Sequence, residues 1–60
     1  MLTGLPNDPM ILLSVVNMKL RDYYPSLDAL CDDMDVSREA LEEKLKMIDY
    51  EYNERKNQFE

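Results

Sequence analysis

Apolar residues recur along this chain in two rhythms, and the change between them divides it. From Pro9 to about Tyr24 the steps are three and four. With residues about 100° apart, Leu12, Leu13, Val16, Leu20 and Tyr23 share one arc, which predicts an amphipathic helix with that arc facing a core. Ile11, Val15 and Met18 form a second apolar strip beside it, and Asn17 and Arg21 are placed opposite. The same steps link Leu27, Leu30, Cys31 and Met34 and then, after Val36, Leu41, Leu45 and Ile48. Two further helices are predicted there, Leu27–Met34 and Arg38–Ile48. After Asp49 the period falls to two. Tyr50-Glu51-Tyr52 alternates aromatic with acidic, Asn53–Asn57 is a polar turn, and Gln58-Phe59 returns. Residues 50–59 therefore read as a β-hairpin, with Tyr50, Tyr52 and Phe59 available to cover the helices.

The punctuation agrees with this division. Asp8 can cap the first helix, and Pro9 at its first position loses nothing by lacking an N–H. Tyr24-Pro25 ends that helix, because the residue before proline disfavours helical dihedrals. Ser26 and Ser37 are the next two N-cap candidates. Asp35 stands at the turn between the second and third helices, and Asp tolerates a left-handed conformation. Glu39 and then Lys44 and Lys46 suit the dipole of the third helix, and Glu42 and Lys46 have favourable i,i+4 order. Gly4 and Pro6 oppose regular structure, so residues 1–7 read as an arm. The predicted fold class is mainly α. It is one small three-helix domain over 1–60, with a helix-turn-helix-like pair and a short C-terminal β-hairpin, in the order of a miniature winged helix.

Charge changes what such a fold can do. The chain has 13 acidic and 7 basic residues, net −6. The exposed positions of the third helix balance Arg38, Lys44 and Lys46 against Glu39, Glu42 and Glu43, and the hairpin turn adds only Arg55 and Lys56. Phosphate contacts supply most non-specific affinity for nucleic acid, and this surface repels phosphate. No apolar run approaches the ~20 residues that span a bilayer. Asp8 and Pro9, in place of a basic segment, precede the apolar stretch Met10–Val16, so no export signal is expected. A lone Cys31 and the lack of any His argue against a disulfide within the chain and against a zinc site. The reading is of a cytoplasmic protein needing no cofactor or metal.

Candidate chemistry is sparse. Cys31 has no His to activate it, and its neighbours are anionic. Asp32-Asp33-Met34-Asp35 lacks the glycine and the distant bidentate glutamate of a calcium loop. Asp28 with Asp32, and Glu39 with Glu43, lie on exposed helix faces without a pocket to tune one acid against the other. No catalytic residue is assigned, and an enzyme is not expected. The leading expectation is a small interaction module, binding a protein partner or a second copy of itself. Two surfaces are candidates: the strip Ile11, Val15 and Met18, covered either by the hairpin or by another chain, and the acidic face Asp28, Asp32, Asp33 and Asp35. The alternative is a helix-turn-helix (winged-helix-like) transcriptional regulator or nucleic-acid-associated protein.

Several segments also resemble a known family. These are Leu5-Pro6-Asn7-Asp8-Pro9, Leu12-Leu13-Ser14-Val15-Val16-Asn17, Lys19-Leu20-Arg21-Asp22-Tyr23-Tyr24, Leu27-Asp28-Ala29-Leu30-Cys31, Tyr50-Glu51-Tyr52 and Asn57-Gln58-Phe59. They are similar to very short bacterial proteins catalogued as domain of unknown function 4250. The likeness runs from Leu5 to Phe59 and leaves Met1–Gly4 outside. It implies a bacterial, cytoplasmic protein and assigns no catalytic or binding residue.

Overall fold

Each helix begins at a side-chain oxygen that accepts from the first free backbone N–H groups. In the computed structural model, which describes residues 5–60, the elements run α1 (Pro9–Asp22), α2 (Leu27–Met34), α3 (Arg38–Lys46), β1 (Tyr52–Asn53) and β2 (Gln58–Phe59). The Asp8 carboxylate accepts from Met10 N–H at 2.9 Å and from Ile11 N–H at 3.4 Å. Ser26 Oγ accepts from Ala29 N–H at 3.1 Å, and Ser37 Oγ from Ala40 N–H at 3.3 Å. These caps satisfy donors that no helix can satisfy internally.

The helix ends are where local pattern and structure part. α1 stops at Asp22, and Tyr23 leaves the helix with φ −125°. Tyr23 was expected on the core face, yet it is 69% exposed. Pro25 forbids helical dihedrals at Tyr24, so the last turn unwinds and Tyr24 packs on the core in place of Tyr23. At the end of α2, Asp35 adopts φ 55°, ψ 48°, and Val36 N–H reaches back to the Cys31 carbonyl at 3.0 Å. This is the left-handed helix end expected at Asp35. α3 stops at Lys46 and not at Ile48, because Asp49 also turns left-handed, with φ 64°. Tyr50 N–H then bonds the Leu45 carbonyl at 3.0 Å and Asp49 N–H the Lys46 carbonyl at 2.9 Å.

The core forms where the three apolar stripes meet. Leu12, Leu13, Val16 and Leu20 from α1 pack with Leu27, Leu30 and Cys31 from α2 and with Leu41 and Leu45 from α3. Phe59 closes one side, and Leu5 also lies in the core. Leu5 therefore departs from the expected arm of residues 1–7: its side chain is buried in the apolar core cluster. The rest of that arm, Met1–Gly4, lies outside the described residues.

The strands pair antiparallel, with Tyr52 opposite Phe59 and Asn53 opposite Gln58. Glu51 and Glu60 extend the ladder by exchanging backbone bonds of 3.1 and 2.9 Å. In the turn, the Asn53 carboxamide oxygen accepts from Arg55 N–H at 2.9 Å and Lys56 N–H at 3.2 Å, an Asx turn. Asn17 was read as facing away from the core, but it is half-buried and holds the hairpin. Its carboxamide donates to the Phe59 carbonyl at 3.1 Å and accepts from Phe59 N–H at 2.8 Å. The side chain thus takes the place of a neighbouring strand along the outer edge of β2.

Two substitutions test these junctions. Asp35→Gly should leave the thermal melt unchanged or raise it, because glycine reaches φ 55° without a side-chain clash. A clear loss would show that the Asp35 side chain itself stabilises the turn. Asn17→Leu leaves the Phe59 N–H and C=O without partners and should cost about 1–3 kcal/mol in urea unfolding. It should also speed exchange of the Phe59 amide hydrogen. An unchanged melt and exchange rate would mean that Asn17 does not hold the hairpin.

Candidate functional site

Where the hairpin docks decides which part of α1 stays open. Asn17 and Leu20 lie on one flank of the core stripe, and the hairpin is bound there. Besides the Asn17 bonds, the Asn57 carboxamide donates to the carbonyls of Leu20 at 3.0 Å and Tyr24 at 2.9 Å. Those are carbonyls that the unwound end of α1 leaves without helical partners. The outward side of α1, away from the core stripe, carries Met10, Ile11, Ser14 and Met18, and the hairpin leaves Met10, Ile11 and Met18 largely exposed. Met10 is 56% exposed, Ile11 55% and Met18 40%.

The predicted strip Ile11, Val15 and Met18 is therefore not uniform. Val15 is half-buried and packs against the core, whereas Ile11 and Met18 face solvent. Met10, which the sequence pattern did not single out, belongs to the exposed part. At its C-terminal end this face carries Arg21 and Asp22, joined by hydrogen bonds of 2.9 and 3.0 Å. The Arg21 guanidinium holds the Asp22 carboxyl below its ordinary value. The open face is apolar except at Ser14 and charge-paired at its end. Between α1 and the hairpin runs a groove of about 490 Å³, lined in part by Met18, Arg21 and Lys56.

The four aspartates of the predicted acidic face, Asp28, Asp32, Asp33 and Asp35, are all exposed. Two of them are engaged. Asp28 accepts from Arg38 at 2.8 Å, and Asp33 accepts from the Tyr24 hydroxyl at 2.6 Å. Arg38 in turn donates to Glu42 at 2.9 Å, an i,i+4 pair in place of the expected Glu42–Lys46 pair. Its guanidinium also lies 5.5 Å from the centre of the Tyr52 ring. Hydrogen bonds from Arg38 to Asp28 and Glu42 keep the arginine protonated even more firmly than usual. The one cation in the first turn of α3 is thus drawn into an ion-pair network and away from any ligand.

A second groove, of about 520 Å³, separates α3 from the hairpin, with Glu39, Glu43 and Glu51 on its rim. Cys31 is buried, and that burial raises its thiol above the ordinary value. Among the described residues, no group of three or more His, Cys, Asp or Glu is placed to hold a metal ion. None of their helices is long and apolar enough to cross a membrane.

Together these features define a small, mainly helical domain with three helices, a two-stranded C-terminal sheet and an open apolar helix face. The family model described as "Domain of unknown function (DUF4250)" matches residues 6–59, and the chain belongs to that family. Comparison with curated proteins and with solved structures found no match.

The Tyr24–Asp33 contact gives a pH prediction. The hydrogen bond to Asp33 comes first among the causes that raise the Tyr24 hydroxyl above its usual value of about 10. A group raised on folding contributes stability that is fully present below the unfolded value and is lost as pH climbs through the folded one. Titration of the Tyr24 ring by NMR should give a lower midpoint in Asp33→Ala than in wild type. Equal midpoints would show that the hydroxyl is not tied to this carboxylate.

Proposed function

We propose that this chain is a small protein-interaction module without catalytic activity, docking through the outer face of α1. The observation that carries the reading is the exposure of Met10, Ile11 and Met18 on one face of one helix. Single exposed hydrophobes are ordinary on small proteins, but three along one helix face form a patch of the kind that marks interaction sites. The hairpin is bound to α1 through Asn17 and Asn57 and leaves these three side chains exposed. A second copy of the chain is the simplest occupant, since a two-fold pair buries the same strip on both partners. The charged end of the face offers no obstacle, because Arg21 and Asp22 already neutralise each other.

Against a nucleic-acid role for α2 and α3 stand the net charge of −6 and the engagement of Arg38 by Asp28 and Glu42. Against an enzymatic role stand the raised thiol of Cys31 and the lack of histidine in the sequence.

Ile11→Lys and Met18→Lys test the reading better than a change at Val15, whose side chain also packs against the core. Light scattering of the wild type should show mass rising with concentration, and its melting temperature should rise with concentration as well. Both lysine variants should remain monomers with an unchanged melt at low concentration. A wild-type chain that is monomeric at high concentration, and that captures from lysate no partner lost by Met18→Lys, would overturn the proposal.

A further inference from the structure

The two edges of the hairpin are treated differently. Glu51 and Glu60 exchange two backbone hydrogen bonds, so the next opposed pair, Tyr52 and Phe59, must turn their N–H and C=O groups outward. On the β2 side the outward pair is satisfied by the Asn17 carboxamide. On the β1 side Tyr52 uses its hydroxyl, which donates to Asn57 and accepts from Leu27 N–H. Its outward backbone N–H and C=O have no partner among the described residues. An open strand edge is a template for another strand.

Next to this edge, and lined by Tyr52 of β1 and Phe59 of β2, lies the groove of about 520 Å³ between the hairpin and α3. α3 meets this part of the chain at two points, with Arg38 over the Tyr52 ring and the Leu45 carbonyl accepting from Tyr50 N–H. The lining charges are strongly one-sided: Glu39, Glu42, Glu43 and Glu51 stand against Lys46 alone. Glu42 is neutralised by Arg38, which leaves Glu39, Glu43 and Glu51 facing the space. Tyr50 and Tyr52 supply apolar surface beneath them.

We propose that this edge and groove bind an extended basic segment of another protein, which adds a third strand beside β1. The main chain of the incoming strand would bond the outward N–H and C=O of Tyr52. Because side chains alternate along a strand, every second residue would point toward α3, where lysine or arginine meets Glu39 and Glu43. The rim repels acidic segments and phosphate. The chain's own strands, Tyr52–Asn53 and Gln58–Phe59, carry no basic residue, which favours a different protein over a second hairpin as the occupant. This surface shares no residue with the open face of α1, and the two proposals stand or fall separately.

The test is an NMR titration of the full chain with a synthetic peptide alternating lysine and threonine. Strand addition predicts shifts concentrated at Tyr50–Asn53 and Glu39–Glu43, together with slower exchange of the Tyr52 amide hydrogen. Methylating the peptide's backbone nitrogens, which removes donors but keeps charge, should abolish the slowed exchange and weaken binding about tenfold, as loss of main-chain pairing requires. Glu39→Lys/Glu43→Lys, at two exposed positions, should weaken binding by about tenfold or more while the melt stays unchanged. Met18→Lys should bind the peptide as wild type does. Equal affinity for the methylated peptide, or shifts spread over all acidic residues, would show mere attraction to net charge and overturn the proposal. So would the lack of any shift at millimolar peptide.

Discussion

Strands of two residues cannot hold a hairpin together in water, and here two asparagine side chains do what the ladder cannot. Asn17 and Asn57 make four hydrogen bonds to backbone groups, three between the hairpin and α1 and one to Tyr24 just beyond it. At about 1 kcal/mol net each, these bonds together match a large fraction of the roughly 3–9 kcal/mol that a chain of this length holds in total. Asn57 also accepts from the Tyr52 hydroxyl at 2.7 Å, and that hydroxyl accepts from Leu27 N–H at 3.1 Å. The end of α1, the start of α2 and both strands are thereby tied at one point. Phe59 is carried into the core by the same attachment, with its ring centre 5.5 Å from that of Tyr52.

The surface follows from this choice of flank. Drawing the hairpin toward Asn17 and Leu20 leaves Met10, Ile11 and Met18 in water, and it places β1 beside α3 with a groove between them. The ion pairs act in the same direction. Arg38 gathers Asp28 and Glu42 around itself, which removes a positive charge from the front of α3 and leaves Glu39 and Glu43 dominant there. Arg38 is about one-third exposed, so solvent screens these pairs, and their effect on charge distribution outweighs their effect on stability.

The connections use aspartate and asparagine where many proteins use glycine. The sole glycine in the sequence is Gly4, and among the described residues positive φ occurs at Asp35, Asp49 and Asn57. Each strains the backbone by about 1–2 kcal/mol relative to glycine. Each also stands at a junction: between α2 and α3, between α3 and β1, and between the hairpin turn and β2. At Asn57 the side chain offsets the strain by satisfying the carbonyls of Leu20 in α1 and of Tyr24 just beyond it, a contribution glycine cannot make.

Signals that act within one helical turn were legible in the sequence. The caps at Asp8, Ser26 and Ser37, the left-handed turn at Asp35, and the stripes through Leu12, Val16 and Leu20 and through Leu41 and Leu45 all depend on neighbours a few residues away. The features that went unread depend on partners far along the chain. Asn17 interrupts the apolar row from Leu13 to Leu20, which was the one trace of its role, but its bond to Phe59 spans 42 residues. Tyr23 and Tyr24 are interchangeable by composition, and packing on the core together with Asp33 decided which of them turned inward. Leu5 followed apolar cover into the core, although its neighbours oppose regular structure. The strip on α1 was visible as a pattern, but its exposure was settled by two asparagine side chains. Periodicity records which residues are apolar; which of them are covered depends on long-range hydrogen bonds that only the assembled fold supplies.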